Sequence, residues 1–93
     1  MIGNNIDETD VAIITSVHVL EHLYERRPTP KDIYALTKRF SWDRMHESGI
    51  RARLKTLSKH EFLDEIQDKR KYYYELTRKG IQAVRDQVAG EEL

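Results

Sequence analysis

Two groups of cations carry what chemistry this sequence offers. The first lies in the run Glu47-Ser48-Gly49-Ile50-Arg51-Ala52-Arg53-Leu54-Lys55-Thr56-Leu57-Ser58-Lys59. Ile50, Leu54 and Leu57 recur at spacings of four and three, which lines them along one face of a helix. Ser48, Arg51, Ala52, Lys55 and Lys59 form a separate face of hydroxyl, small and cationic groups. A helix with these two faces can sit on a core and enter a major groove, although an ordinary surface helix with solvated lysines carries the same pattern. The second group is the consecutive run Lys69, Arg70 and Lys71.

Other reactive side chains lead to less. His18 and His22 are four apart on one helix, with Glu21 and Glu25 nearby, a spacing that could give one metal two ligands. No third ligand converges on them, so they read as half-buried histidines at a helix or dimer contact. His46 and His60 have no neighbours that make a catalytic pair, and strand alternation puts Asp64 and Glu65 on opposite faces. No glycine-rich phosphate loop or nucleophile motif occurs. Neither an enzyme activity nor a cofactor or metal is expected. Trp42 and the tyrosine run could stack on single-stranded nucleic acid, but their place beside core positions favours packing, with Tyr73 facing outward.

These groups have to be positioned by a small chain. Its 93 residues make one domain, and a core of that size is often completed by a partner copy. There is no cysteine, which excludes disulfides. The N-terminus lacks a basic-then-apolar signal pattern and no apolar run approaches membrane length, so a soluble, cytoplasmic protein is expected. The zero net charge conceals a strong asymmetry. Residues 1–25 hold five acids and no base, residues 26–60 hold ten bases and three acids, and residues 61–93 hold six bases and eight acids. A basic middle in a neutral chain implies one side that faces anions.

The elements follow in order. Asp7 can cap a helix with an acidic first turn, whose apolar residues Val11, Ile13, Ile14, Val17, Leu20, Leu23 and Tyr24 cover more than one stripe. Such a helix is either central to the core or faces two partners, and it should end near Arg26-Arg27, ahead of Pro28. Thr29-Pro30-Lys31-Asp32 starts a second helix, with Thr29 as cap, Pro30 first in the helix, and Ile33, Leu36 and Phe40 inward. A turn over Ser41-Trp42-Asp43 leads to the basic helix, over about 44–60, with His46, Glu47 and Ser48 in its first turn. Phe62-Leu63-Asp64-Glu65-Ile66-Gln67 and Lys71-Tyr72-Tyr73-Tyr74-Glu75-Leu76 are strand-type runs, giving an antiparallel hairpin over about 62–76 with Tyr74 and Leu76 buried. Its tip holds three cations and no glycine, so a turn wider than the tightest is expected. Thr77 caps a last helix over about 78–89, with Ile81, Val84 and Val88 as its stripe and Gly90 as its stop.

Helix, helix, turn, helix, charged hairpin, helix is the order of a winged helix-turn-helix domain, a mostly α fold with a small β-hairpin (α+β). Ile50-Arg51-Ala52-Arg53-Leu54-x-x-Leu57, the hairpin, and Tyr73-Tyr74-Glu75-Leu76-Thr77-Arg78-Lys79-Gly80 together resemble the small transcriptional regulators of the MarR-like and PadR-like families over roughly residues 29–81. The resemblance implies sequence-specific binding of double-stranded DNA by a dimeric regulator. The basic helix would lie in the major groove, with the wing tip on the flanking backbone or minor groove. It implies that Ser48, Arg51, Ala52, Lys55 and Lys59 face bases and phosphates and that Lys69, Arg70 and Lys71 form the wing contact. Arg51 is the candidate for a guanine edge, because its fork bonds two acceptors at once. The sequence also allows a homodimer through the first and last helices, and no membrane partner. The alternative function is that of a winged-helix adaptor that binds protein and not DNA, but an adaptor has no need of cations on both the helix and the wing tip. One residue departs from the family pattern: the position just after the basic helix, usually glycine, is Glu61.

Overall fold

The computed structural model of the chain describes residues 6–25, 27–40 and 46–92. Four helices and one hairpin follow in the order α1 (Glu8–Leu23), α2 (Pro30–Phe40), α3 (Glu47–Lys59), β1 (Leu63–Asp68), β2 (Lys71–Leu76) and α4 (Arg78–Glu92). The expected turn over Ser41-Trp42-Asp43 lies outside the described residues.

Helix α1 starts on a capping box. The Asp10 amide donates to the Asp7 carboxylate at 2.9 Å, and the Asp7 amide donates back to Asp10 at 3.2 Å. Ile13, Ile14, Val17 and Leu20 are buried, and the helix packs against α2, α3, α4 and β2. Its broad apolar surface is therefore the centre of the core. It ends at Leu23, earlier than Arg26-Arg27, because Glu25 adopts a left-handed conformation at φ 50° and turns the chain. Leu23 and Tyr24 are left exposed.

Helix α2 repeats the device. The Asp32 amide donates to the Thr29 hydroxyl at 3.2 Å and the Thr29 amide to Asp32 at 3.4 Å. Ile33 is fully buried and Leu36 half-buried, but Phe40 is 48% exposed, contrary to the inward position expected for it. The inward stripe closes one turn earlier on Thr37, whose buried hydroxyl donates to Ser16 Oγ at 3.0 Å. Ser16 in turn donates to the Ala12 carbonyl at 2.8 Å. Both hydroxyls are thereby satisfied inside the core.

Helix α3 begins at Glu47, with His46 at its cap, and buries Ile50, Leu54 and Leu57. Its end explains the glycine that is missing. The Glu61 amide donates to the Ser58 carbonyl at 3.0 Å and the Phe62 amide to the Leu57 carbonyl at 2.9 Å. These are the two bonds of a Schellman motif, which requires a left-handed residue at Glu61, and φ there is 68°. The buried side chains of Leu57 and Phe62 bracket the turn. The chain thus makes the expected turn with glutamate in the glycine position.

Asp68 pairs directly with Lys71, so the hairpin closes in two residues, Lys69 and Arg70. This is the tightest class of turn, not the wider one expected. It is possible without glycine because Lys69 itself takes positive φ, 60°, as the first central residue of a type II′ turn does. A hairpin alone is marginal in water, and this one is fastened to the helices. The Tyr74 amide donates to the Pro28 carbonyl at 2.9 Å and the Leu76 amide to Glu21 Oε1 at 3.3 Å. Tyr74 is buried and its hydroxyl donates to Glu65, while Leu76 is half-buried. Burial, and then the Glu65 carboxylate, raise the Tyr74 hydroxyl above the ordinary tyrosine range. Tyr73, on the strand face opposite buried Tyr74, is half-buried because the Arg27 guanidinium covers its ring at 5.2 Å and reaches Asp68 at 3.6 Å. The exposed tyrosine of the strand is Tyr72.

The Leu76-Thr77-x-x-Gly80 segment joins the hairpin to both helices beside it. The Thr77 hydroxyl lies 2.7 and 2.9 Å from the Glu61 and Phe62 carbonyls and accepts the Gly80 amide at 3.0 Å. Lys79 Nζ donates to the His60 carbonyl at 2.7 Å. A Cβ on Gly80 would stand 2.3 Å from the Phe62 carbonyl oxygen, which is why no side chain fits there. Ala83 is buried and Val84 packs on the core. Gly90 does not stop α4: among the described residues no glycine takes positive φ, and the helix runs on to Glu92.

Candidate nucleic-acid interface

The side chains singled out in the sequence are all exposed: Ser48, Arg51, Ala52, Lys55 and Lys59 on α3, and Lys69, Arg70 and Lys71 at the hairpin tip. The burial of Ile50, Leu54 and Leu57 on the core dictates this for α3, since the opposite face must then meet solvent. The two groups converge in part. Arg51, Arg70, Lys71 and Tyr72 line one open groove of about 320 Å³ with Thr29, Pro30 and Lys31 from the start of α2. Lys55 reaches toward the same strand, with its Nζ 5.8 Å from the centre of the Tyr72 ring. Ser48, Ala52, Lys59 and Lys69 lie outside that groove, the first three along α3 and Lys69 in the turn.

Three cations beyond those two groups lie on the same side of the fold. Lys31, Lys38 and Arg39 line a second open depression between α2 and α3, together with Tyr34, Ala35 and Glu47. Lys38 Nζ stands 5.1 Å from the centre of the Tyr34 ring. Their signal is the basic middle segment and the seven-residue spacing of Lys31 and Lys38, which puts the two on one helix face. The positive end of the α2 dipole beside Lys31 adds to the field of the groove.

The two arginines of α3 have different partners. Arg53 faces the body of the domain and donates from Nη1 to Asp7 at 2.9 Å and to Asp10 at 3.0 Å, tying α3 to the start of α1. Partial burial would raise the Asp7 carboxyl, but the Asp10 amide and the Arg53 guanidinium outweigh it and lower its pKa; the Asp7 bond raises that of Arg53. Arg51 faces solvent. Its Nε and Nη2 both donate to one oxygen of Glu47, at 3.1 and 2.8 Å.

His18 and His22 are exposed rather than half-buried. Their ring centres are 4.3 Å apart, and His22 Nδ1 is 3.0 Å from the His18 carbonyl. Among the described residues no three metal-ligating side chains come together. No described helix is long and apolar enough to cross a membrane.

Helices α2 and α3 on a central α1, an antiparallel hairpin and a closing α4 have counterparts among solved structures. BpsR of Bordetella bronchiseptica, whose DNA binding is regulated by 6-hydroxynicotinic acid, superposes with a TM-score of 0.73 at 14% identity over 97% of this chain. The chain folds as a winged helix-turn-helix. AF1382 of Archaeoglobus fulgidus gives a TM-score of 0.69 at 14% identity over 95% of this chain and 89% of its own. MepR, a transcription regulator of the Staphylococcus aureus multidrug efflux pump MepA, gives 0.65 at 16% identity over 96% and 67%. The present chain spans 58% of the length of BpsR. No protein-family model matches the sequence, and no characterised protein aligns with it significantly. At these identities the likeness establishes the fold: α2 and α3 are the helix-turn-helix, and β1-β2 is the wing.

Proposed function

We propose that this winged helix is a sequence-specific, double-stranded-DNA-binding transcriptional regulator that acts in the cytoplasm as a homodimer. Helix α3 lies in the major groove, presenting Ser48, Arg51, Ala52, Lys55 and Lys59. The wing tip, Lys69, Arg70 and Lys71, meets the flanking backbone or minor groove. The observation that carries this reading is the groove in which Arg51 of α3, Arg70 and Lys71 of the wing and Lys31 of α2 face the same space. Like charges that converge from three elements repel one another, with Arg51 paired to Glu47, and a polyanion relieves that repulsion. Phosphate contacts of this kind supply affinity and register, while base edges supply specificity. The DNA binding and transcription regulation attributed to BpsR and MepR agree with it.

Gel-shift titrations at several salt concentrations test the proposal. Each neutralised phosphate contributes about 0.9 to the slope of log affinity against log salt. Arg70→Ala should therefore flatten the slope by roughly 2 for a dimer with one such contact per half-site, weakening all sequences alike. Arg51→Ala should cost about 1–3 kcal/mol per half-site on a preferred sequence and much less on random DNA. A parent protein that binds no DNA at low salt would leave the adaptor role standing instead.

A further inference from the structure

Glu47 is out of place on a surface built for DNA. It sits at the leading end of α3, in the depression lined by Lys31, Lys38 and Arg39, where a carboxylate would repel phosphate. The other described acid of the basic middle segment, Asp32, is used in the α2 capping box. Glu47 makes no such cap. Its carboxylate is engaged with Arg51, through one oxygen that accepts from both Nε and Nη2.

The geometry of that pair is informative. A guanidinium has five N–H donors in a plane. Glu47 occupies the side edge, formed by the Nε–H and one Nη2–H. The end edge, formed by Nη1 and the second Nη2–H, is left with two parallel donors, the set that matches O6 and N7 of guanine. A carboxylate on the side edge also fixes the plane of an otherwise mobile side chain and lowers its net attraction for phosphate. Affinity for DNA in general is reduced, and discrimination at one base pair is gained.

Resting on the DNA-binding role above, we propose that Glu47 is a positioning residue that sets base specificity: it holds Arg51 side-on so that the free end of the guanidinium reads guanine. The plain alternative is an i,i+4 pair that adds only a few tenths of a kcal/mol to the helix. The two differ in a measurable way, because a helix-stabilising pair has no influence on which base is chosen.

The test is selection from a random duplex library with the parent, Glu47→Ala, Glu47→Gln and Arg51→Ala, followed by binding to the enriched site and to random DNA. The parent should enrich a guanine in each half-site that Arg51→Ala no longer enriches. Glu47→Ala should lose preference at that same position by on the order of tenfold while binding random DNA as well as the parent or better. Glu47→Gln keeps an acceptor but not the charge and should fall between. All variants are compared at equal helicity, which the exposure of both side chains favours. Retention of the guanine preference by Glu47→Ala, or loss of affinity for all sequences alike, would overturn the assignment while leaving the DNA-binding role intact. A parent that enriches no sequence would overturn both.

Discussion

Glu61 shows how a single residue can hold a conformation that suits it poorly. The Schellman bonds at the end of α3 require a left-handed turn there, and the Thr77 hydroxyl on the Glu61 carbonyl and the burial of Leu57 and Phe62 on either side hold it in place. A β-carbon in that region costs about 1–2 kcal/mol, and the surrounding contacts impose it. Glu61→Gly should therefore raise stability by roughly 1 kcal/mol, net of the extra freedom glycine gains in the unfolded chain; urea denaturation measures this, and a lowered midpoint would contradict it. Lys69 presents the same strain at an exposed site, with a different interpretation. Glycine would relax the turn but remove a cation from the tip, which bears on the proposed wing contact. Gly80 is the converse, a residue fixed by the approach of the Phe62 carbonyl and not by its own backbone. That distinction could not be read from the sequence, where the Leu-Thr-x-x-Gly pattern was visible and its reason was not. Glu61 was legible as the departure, because the pattern around it named the position that glycine should fill.

At the scale of elements, the caps and stripes that were explicit in the sequence gave the right helices. Asp7, Thr29-Pro30-x-Asp32 and the Ile50, Leu54, Leu57 stripe are local signals, and local physics fulfils them. Two side chains differ from expectation where a distant element intervenes, whereas the end of α1 and the hairpin turn differ through local positive φ at Glu25 and Lys69. Tyr73 is half-buried because Arg27 covers it, and Phe40 stayed outside because Thr37 found Ser16 across the α1–α2 contact. The α1–α3 tie through Arg53 is of the same kind, since no spacing rule links residue 53 to residues 7 and 10. It has a pH signature. The folded-state pKa of Asp7 is lowered, so its contribution is present above the unfolded carboxylate value, near 4, and is lost as pH falls through the folded value. Asp7→Asn should thus melt below the parent at pH 7, and the difference should shrink steadily below about pH 4. Equal melting temperatures at neutral pH would mean that the tie contributes nothing. Helix α1 also bears Glu21, which has the opposite sign: burial raises its pKa in spite of the Leu76 amide, so its charged form opposes folding as pH rises.

For the molecule as a whole, the charge segregation of the sequence becomes a division of surfaces. The basic middle segment forms the helix-turn-helix, and the acid-rich first segment forms α1 at the centre, with Asp7 and Asp10 bound to Arg53. What the fold leaves uncovered is apolar surface at the end of α1, where Leu23 is 74% and Tyr24 59% exposed. Helix α4 continues well past the buried Ala83. These are the two helices through which the proposed homodimer would form, and a two-fold site would require its two α3 helices to reach successive major grooves, about 34–36 Å apart. The stripe of α4 is a poor place to test this, because Val84 packs on the core and its replacement would damage the fold along with any interface. Leu23 touches little within its own chain, so Leu23→Glu should leave the melting transition within about 0.5 kcal/mol of the parent. In sedimentation at micromolar concentration the parent should run as a dimer of the 11.0 kDa chain and Leu23→Glu as a monomer. The monomeric variant should then bind a single half-site with about half the salt slope of the parent, since half as many phosphates are neutralised. A parent that sediments as a monomer would remove the dimer, and with it the expectation of an inverted-repeat site, without touching the assignment of α3 and the wing to DNA.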